Sequence, residues 1–273
     1  MTLAATDFTY ITQIVRQRSA IDLQPGKEYL LESRLGPVAR AFGEPDLAAL
    51  VSRMRRGDNS ITDAVVEALT TNETSWFRDA HPFEAFRNHL LPAVAVGAPR
   101  RITVWSAASS SGQEAYSLAM VLHEWLPAHP GWTANIVGTD ISRKMVDRAR
   151  AARYSQLEIN RGMPAANLVK YFDQSGRDWM IRQPLRDMCR FDWGNLSLPP
   201  TGVPPCDIVF LRNVLIYFDV ETKRKVLANI RKVLRPGGYL VLGGAESTNN
   251  MDDSFHRMEL GRAVVFRYAG GAA

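Results

Sequence analysis

The chain has only two cysteines, Cys189 and Cys206, and no Cys-x-x-Cys pair, so neither a disulfide framework nor a thiolate metal site is expected. Its five histidines (His81, His89, His123, His129 and His256) show no ligand spacing, and no metal is expected. No apolar run approaches the roughly eighteen residues of a membrane span, so no membrane insertion is expected. The N-terminus, Met-Thr-Leu-Ala-Ala-Thr-Asp-Phe, lacks a basic stretch followed by an apolar one, which argues against a secretion signal and for the cytoplasm. Two phosphate-binding signatures are missing as well, the Gly-x-Gly-x-x-Gly turn of dinucleotide sites and the Gly-Lys-Ser/Thr of triphosphate loops. A dense basic cluster is also lacking. The net charge is only +5, and residues 1–80 carry nine Lys/Arg against eleven Asp/Glu. That is too little for a nucleic-acid footprint.

Against these absences stands one pair of segments. Residues 104–117 read V-W-S-A-A-S-S-S-G-Q-E-A-Y-S, and I-V-G-T-D-I-S follows at 136–142. An apolar strand over Ile102–Ala107 runs into small residues and then a helix over Gln113–Trp125. A second strand, Asn135–Asp140, ends on an acid. Small residues let a ligand sit against backbone N–H groups at a helix start, and a carboxylate at the next strand tip suits ribose hydroxyls. A cofactor with ribose but no phosphate, S-adenosylmethionine (SAM), fits this pattern. The alternative is an ordinary strand–turn–helix crossover.

Residues 1–70 show no strand pattern. Phe8, Ile11, Ile14 and Val15 recur at helical spacing, as do Leu30, Leu31, Leu35 and Val38, then Leu47, Leu50, Val51 and Met54, then Ile61, Val65, Val66 and Leu69, which predicts about four helices. A helix over Pro82–Leu91 and a connection over 92–100 lead on. From residue 101 strands and helices alternate: strands at 102–107, 135–140, 207–211, 239–243 and 263–268, helices at 113–125, 143–152 and 221–234. This predicts a doubly wound α/β sheet with right-handed crossovers. Pro236-Gly237-Gly238 reads as a helix breaker. Residues 153–190 interrupt the rhythm as an insertion, with a short helix at 165–171 and two short strands, 179–182 and 187–191, around Gln183-Pro184. Residues 269–273 are expected to be unstructured.

Three polar clusters are further candidates. In T-T-N-E-T-S-W-F-R-D (70–79), Asn72, Thr74 and Arg78 alternate with Trp76 and Phe77; the bland reading is a helix cap. In C-D-I-V-F-L-R-N-V-L-I-Y-F (206–218), a buried strand ends in Arg212-Asn213, where an open sheet presents groups to a crevice; a structural arginine is the alternative. Asn195 in W-G-N-L sits at another strand exit. Arg53, Arg55 and Arg56 form a basic patch that also reads as a solvated helix end.

In this order the segments resemble the CheR-type chemoreceptor methyltransferases, SAM-dependent enzymes that esterify glutamates of chemotaxis receptors. The resemblance runs from about residue 8 to 267 and rests on Y-L-L-E-S-R-L, T-N-E-T-S-W-F-R-D, S-S-S-G-Q-E-A-Y-S, G-T-D-I-S, L-R-N-V-L-I-Y-F-D and G-G-A-E-S. It implies a helical receptor-docking domain (1–78), a helix and linker (79–100), and a seven-stranded Rossmann-like methyltransferase domain (101–273) carrying a small inserted β-subdomain at about 153–190. It implies cofactor contacts at Asn72, Thr74, Arg78, Glu114, Asp140, Asn195, Leu196, Arg212 and Asn213, with Arg78 and Tyr217 beside the transferable methyl. The product is S-adenosylhomocysteine (SAH). The expected partner is the receptor's cytoplasmic region, docked through Arg34, Arg40, Arg53, Arg55 and Arg56, with the enzyme a monomer. The chain departs from many relatives at Ala108-Ser109, where they have Gly-Cys, and at Gln113 and Ala115. Its short turn between Phe172 and Trp179, with only Gly176, resembles members that work without a receptor's C-terminal pentapeptide tether. The competing readings are a SAM methyltransferase for another substrate and a SAM-sensing module.

Overall fold

Apolar side chains at helical spacing bury each other in the first part of the chain. In the computed structural model, which describes residues 3–96 and 100–270, four helices form there: α1 (Ala5–Ser19), α2 (Glu28–Ala41), α3 (Leu47–Arg55) and α4 (Asn59–Leu69). Ile11, Val15, Leu31, Leu35, Leu50, Met54, Ile61 and Val65 are their core. Short acids start two of them. The Asp46 carboxylate accepts the Ala49 N–H at 2.8 Å, and that of Asp58 accepts those of Ser60 and Ile61. Arginines tie the helices together from the half-buried side. Arg34 donates to the carbonyls of Leu69 (3.1 Å) and Thr70 (3.0 Å). Arg53 lies between Glu44 and Asp58, 2.9 Å from each. By contacts this unit comprises the chain through Thr71 together with Tyr217–Thr222.

The second unit, Asn72–Ile216 with residues from Lys223 on, is built on a seven-stranded sheet. A helical stretch leads into it: α5 (His81–Ala85), a π turn (Phe86–Leu90) and α6 (Leu91–Ala95). It runs further than the predicted 82–91, and residues 97–99 of the expected connection lie outside the described residues. Next come β1 (Arg101–Ala107), α7 (Gln113–Trp125), β2 (Thr133–Asp140) and α8 (Arg143–Ala151). Ile102, Val104, Ile136, Ile208 and Phe210 share one core with Ala115, Leu118, Ala119 and Leu122 of α7.

The insertion follows as β3 (Arg153–Ser155), α9 (Gln156–Ile159), α10 (Ala165–Tyr171), β4 (Phe172–Ser175), β5 (Asp178–Ile181) and α11 (Gln183–Arg186). Its strands form a separate antiparallel sheet in the order β3-β5-β4. The main sheet resumes with β6 (Cys189–Trp193), β7 (Cys206–Leu211), α12 (Val220–Arg231), β8 (Leu234–Leu242), β9 (Phe255–Leu260) and β10 (Ala263–Tyr268). Strand order is β6-β2-β1-β7-β8-β10-β9, parallel from β6 to β8, with β10 antiparallel to both neighbours.

Four expectations need correction. The strand predicted at 187–191 is not part of the insertion: β6 pairs in parallel with β2 at the edge of the main sheet. β3, β4 and β9 were not anticipated. Pro236-Gly237-Gly238 does not end a helix, because α12 stops at Arg231 and β8 runs through the triplet, its register with β7 shifting there. Of the tail expected to be unstructured, Ala269 donates its N–H to the Ser254 carbonyl at 3.0 Å, and residues 271–273 lie outside the described ones.

Candidate functional site

The carboxyl ends of β1, β2, β6 and β7 line up because those strands are parallel, and Asp140, Asn195, Arg212 and Asn213 fall at or just beyond these ends. The loop after β1 is small and bent: Ala108, Ser110 and Gly112 have φ of +61°, +49° and +94°. Alanine and serine rarely adopt that region, so surrounding bonds must hold them. Ser109 donates its N–H to the Thr139 carbonyl at 2.9 Å. Ser110 donates its N–H to Asp140 Oδ2 and its hydroxyl to the Asn72 carbonyl, both at 2.8 Å. The buried Asp140 carboxylate also accepts the Ser142 N–H at 2.9 Å, and its carbonyl accepts the Gly194 N–H at 3.0 Å. Asn72, Asp140 and the approach to Asn195 are thus drawn around one loop.

The insertion braces that loop from behind. Tyr154, on β3, donates its hydroxyl to the Ser111 carbonyl at 2.8 Å, and burial pushes that hydroxyl well above its usual pKa, keeping it a donor. Its ring meets Trp76 edge-on at 4.8 Å, and Phe172 meets Trp76 at 5.4 Å. The backbone N–H of Trp76 donates to the Arg161 carbonyl at 3.0 Å. The insertion therefore holds both the 70–79 segment and the loop after β1. Sequence reading did not single out Tyr154; its only signal is an aromatic in a short strand.

A second cluster surrounds Arg212, whose side chain is only 2% exposed. Its Nη1 donates to Glu114 at 3.0 Å, and its Nη2 donates to Asp79 at 2.7 Å and to the Arg78 carbonyl at 2.9 Å. Glu114 also accepts the Ser106 hydroxyl at 2.8 Å. The guanidinium is thus taken up by two acids. Asp79, which the sequence reading passed over, completes the cluster; its signal was its place next to Arg78 in the motif. Arg78 donates to the Glu73 carbonyl at 3.1 Å, Thr74 is half-buried, and Asn213 follows Arg212 with φ of +57°. Asn195 accepts the N–H and hydroxyl of Ser197, and the Leu196 carbonyl accepts Asn229 Nδ2 at 3.1 Å. Asn195, Leu196, Trp105, Thr139 and Ile230 line a cavity of about 300 Å³. Tyr217 ends a short 3-10 turn (Leu215–Tyr217) and belongs by contacts to the helical unit, where its carbonyl accepts the Asp22 N–H at 2.9 Å.

This donor set fits a nucleoside cofactor with a cationic sulfur. It has a buried carboxylate at the β2 tip, of a kind that suits ribose hydroxyls, and a second carboxylate at Glu114. Two buried polar atoms at the strand tips, Ser109 Oγ and Arg212 Nε, have no hydrogen-bond partner among the described residues. Unpaired buried polar groups are costly, and a ligand commonly accounts for them.

The fold and these strand tips define a SAM-dependent methyltransferase, and residues 72–264 match the SAM-binding domain of CheR methyltransferases. Residues 6–70 match the all-α domain of the same enzymes, and the chain belongs to the CheR methyltransferase family. It is 37% identical to chemotaxis protein methyltransferase 1 of Pseudomonas aeruginosa over 98% of this chain and 99% of that one. It is 35% identical to chemotaxis protein methyltransferase Cher2 of Pseudomonas putida, over 98% and 99%. The chemotaxis protein methyltransferase of Salmonella typhimurium is 34% identical, over 93% and 88%.

Proposed function

We propose that this protein methyl-esterifies glutamate side chains of chemotaxis receptors, releasing SAH. The observation that carries this reading is full-length kinship with chemotaxis protein methyltransferases, together with acids and small residues gathered at the parallel strand tips.

Bound SAM supplies a methyl group on a sulfonium, an electrophile that needs no acid or base to leave. A glutamate with a pKa of about 4.3 is already ionised at neutral pH. The work left to the protein is positioning and exclusion of water, and good alignment supplies several kcal/mol. Asp140 would hold the ribose. Glu114, Asn72, Thr74, Asn195 and Leu196 would hold the rest of the cofactor. The Arg212 guanidinium is engaged by Glu114 and Asp79, so position 212 would contribute through its main chain and by fixing Glu114. Asn213 would contact the cofactor beside it. The Tyr217 hydroxyl would donate to one oxygen of the incoming carboxylate and leave the other to attack. Arg78 would act from the periphery, since a guanidinium on the attacking oxygen would lower its reactivity.

The helical unit would dock the receptor. Among its arginines, Arg34 and Arg53 hold the helices together, and Arg55 pairs with Asp7 at 2.9 Å while lying over the Tyr10 ring. Of the docking candidates, Arg40, Arg55 and Arg56 are exposed. Such charges mainly raise on-rates in a salt-dependent way. The hairpin β4–β5 turns through Gly176 and Arg177 alone. A turn this short supports tether-independent action: removal of a receptor's terminal pentapeptide would leave turnover unchanged.

The test is transfer of a labelled methyl from SAM to a receptor cytoplasmic fragment. Label released by mild alkali supports the glutamyl ester, whereas alkali-stable label points to another acceptor. In the same assay Tyr217→Phe is expected to keep SAH affinity and to slow transfer at least tenfold, on the scale of one lost charge-directed hydrogen bond.

A further inference from the structure

Glu246, in the late G-G-A-E-S segment, has no assigned role, yet its carboxylate gathers three backbone N–H groups. Oε2 accepts those of Asn213 and Gly243, each at 2.7 Å, and Oε1 accepts that of Val214 at 2.9 Å. Asn213 and Val214 leave the end of β7, and Gly243 leaves the end of β8. One ionised side chain thus pins two neighbouring strand tips. The turn it pins is strained, with Asn213 at φ of +57°. Charge-assisted bonds to backbone N–H groups are about twice as strong as neutral ones, enough to hold such a conformer. The space is closely filled: a Cβ on Gly243 would come within 2.7 Å of Glu246 Oε2, 2.8 Å of Asn213 Nδ2 and 2.9 Å of Asn213 N. A Cβ on the next residue, Gly244, would meet nothing.

We propose that Glu246 is a positioning residue that holds the Arg212–Asn213–Val214 turn in its cofactor-binding shape. This rests on the reading that Arg212 and Asn213 contact the cofactor. No contact between Glu246 and the cofactor is involved. The side chain acts through the N–H groups it orders, which fix the carbonyl of Arg212 and the side chain of Asn213. Removing the carboxylate frees the turn to relax out of the left-handed region, and binding must then reimpose the shape.

Calorimetric titration of the full chain with SAH tests this. Glu246→Ala is expected to raise Kd about tenfold or more, the scale of a lost set of charged hydrogen bonds, at unchanged stoichiometry. Glu246→Gln, which keeps the shape but turns two donors toward N–H groups, is expected to raise it less. Gly243→Ala crowds the same atoms without altering charge and is expected to weaken binding too, whereas Gly244→Ala is expected to bind as the unaltered protein does. Should Glu246→Ala fail to fold, Glu246→Gln and Gly243→Ala carry the test. Lower stoichiometry at unchanged Kd would make Glu246 merely structural and overturn the proposal. Normal affinity in the Glu246 and Gly243 variants, with loss in Asp140→Ala, would overturn it while leaving the cofactor reading intact. Normal affinity in Asp140→Ala as well would instead remove the cofactor reading itself.

Discussion

The helical unit and the α/β unit use charge and backbone differently. In the helical unit, most buried positions are apolar, with only Ser19, Thr62 and Thr70 as buried polar residues among those described, acids sit at helix starts, and arginines close gaps between helices. Only one of its described non-glycine residues, Ala20, has a positive φ, and it ends a helix. In the α/β unit six of the nine such residues among those described, Phe77, Asp79, Ala80, Ala108, Ser110 and Asn213, fall in the three segments around the strand tips. A buried arginine and two acids lie in the same place. Strained backbone persists only where its surroundings over-determine it, and it gathers where geometry serves a ligand. One region is arranged for stability, the other for shape.

The sharpest way to break this contrast is Arg212→Ala. It leaves the largely shielded Glu114 without its cation and is expected to cost about 3–5 kcal/mol in a denaturant melt and to abolish SAH binding. Leu35→Ala, in the helical core, is expected to cost about 2–5 kcal/mol yet leave the affinity of the folded protein unaltered. Equal SAH binding by the two variants would erase the distinction.

Glycines with positive φ offer a finer comparison. At Gly162 (φ +97°) a Cβ would lie 2.3 Å from the Trp76 carbonyl oxygen, whereas at Gly57 (φ +89°) it would meet nothing. Thermal unfolding is expected to show a loss of about 2–3 kcal/mol for Gly162→Ala, combining strain with overpacking, against about 1 kcal/mol for Gly57→Ala.

Glu158, which caps α9 in the insertion, gives a pH-dependent test. Burial works against its charge, but the Ser155 N–H and hydroxyl and Arg148 more than offset this, and its pKa lies below the usual value. A carboxyl lowered on folding stabilises the protein above its unfolded pKa of about 4.3, and that contribution fades as the pH falls through its folded value. Glu158→Gln is therefore expected to cost about 1 kcal/mol at pH 7 and progressively less below pH ~4. A constant difference across that range would exclude an ionic contribution. The smallest effect is expected for Ala108→Gly. Relief of its φ of +61° outweighs the added chain entropy, for a gain of about 0.5 kcal/mol by melting.

The same contrast governs what could be read from the sequence. Helical spacing of Ile11, Leu31, Val65 and their neighbours carries the four helices, because burial there follows periodicity directly. The boundaries of α7 and β10 were legible for the same reason. β6 was misplaced because its partner β2 lies some fifty residues earlier, and nothing local in C-R-F-D-W distinguishes a main-sheet edge from an inserted strand. In β9 only Phe255 is buried, followed by two exposed residues, His256 and Arg257, so the strand lacks a period-two apolar signal. At the site, Asp140 was legible as an acid ending a strand. The engagement of Arg212 by Glu114 and Asp79 was not, since the three positions are far apart in the chain and meet only through the sheet order. The structural roles of Arg34 and Arg53 were hidden for a similar reason: a basic residue looks the same in sequence whether it faces solvent or a carbonyl.

The insertion is spliced outside the main sheet, entering after α8 and leaving before β6, so its length is free of the sheet's register. Its root is not free, because Tyr154, Gly162 and Phe172 press on Trp76 and the loop after β1. The hairpin tip around Gly176 and Arg177 bears no such constraint. Evolution or a protein engineer can graft a longer or differently charged tip there without disturbing the packing of the base against Trp76 and the loop after β1.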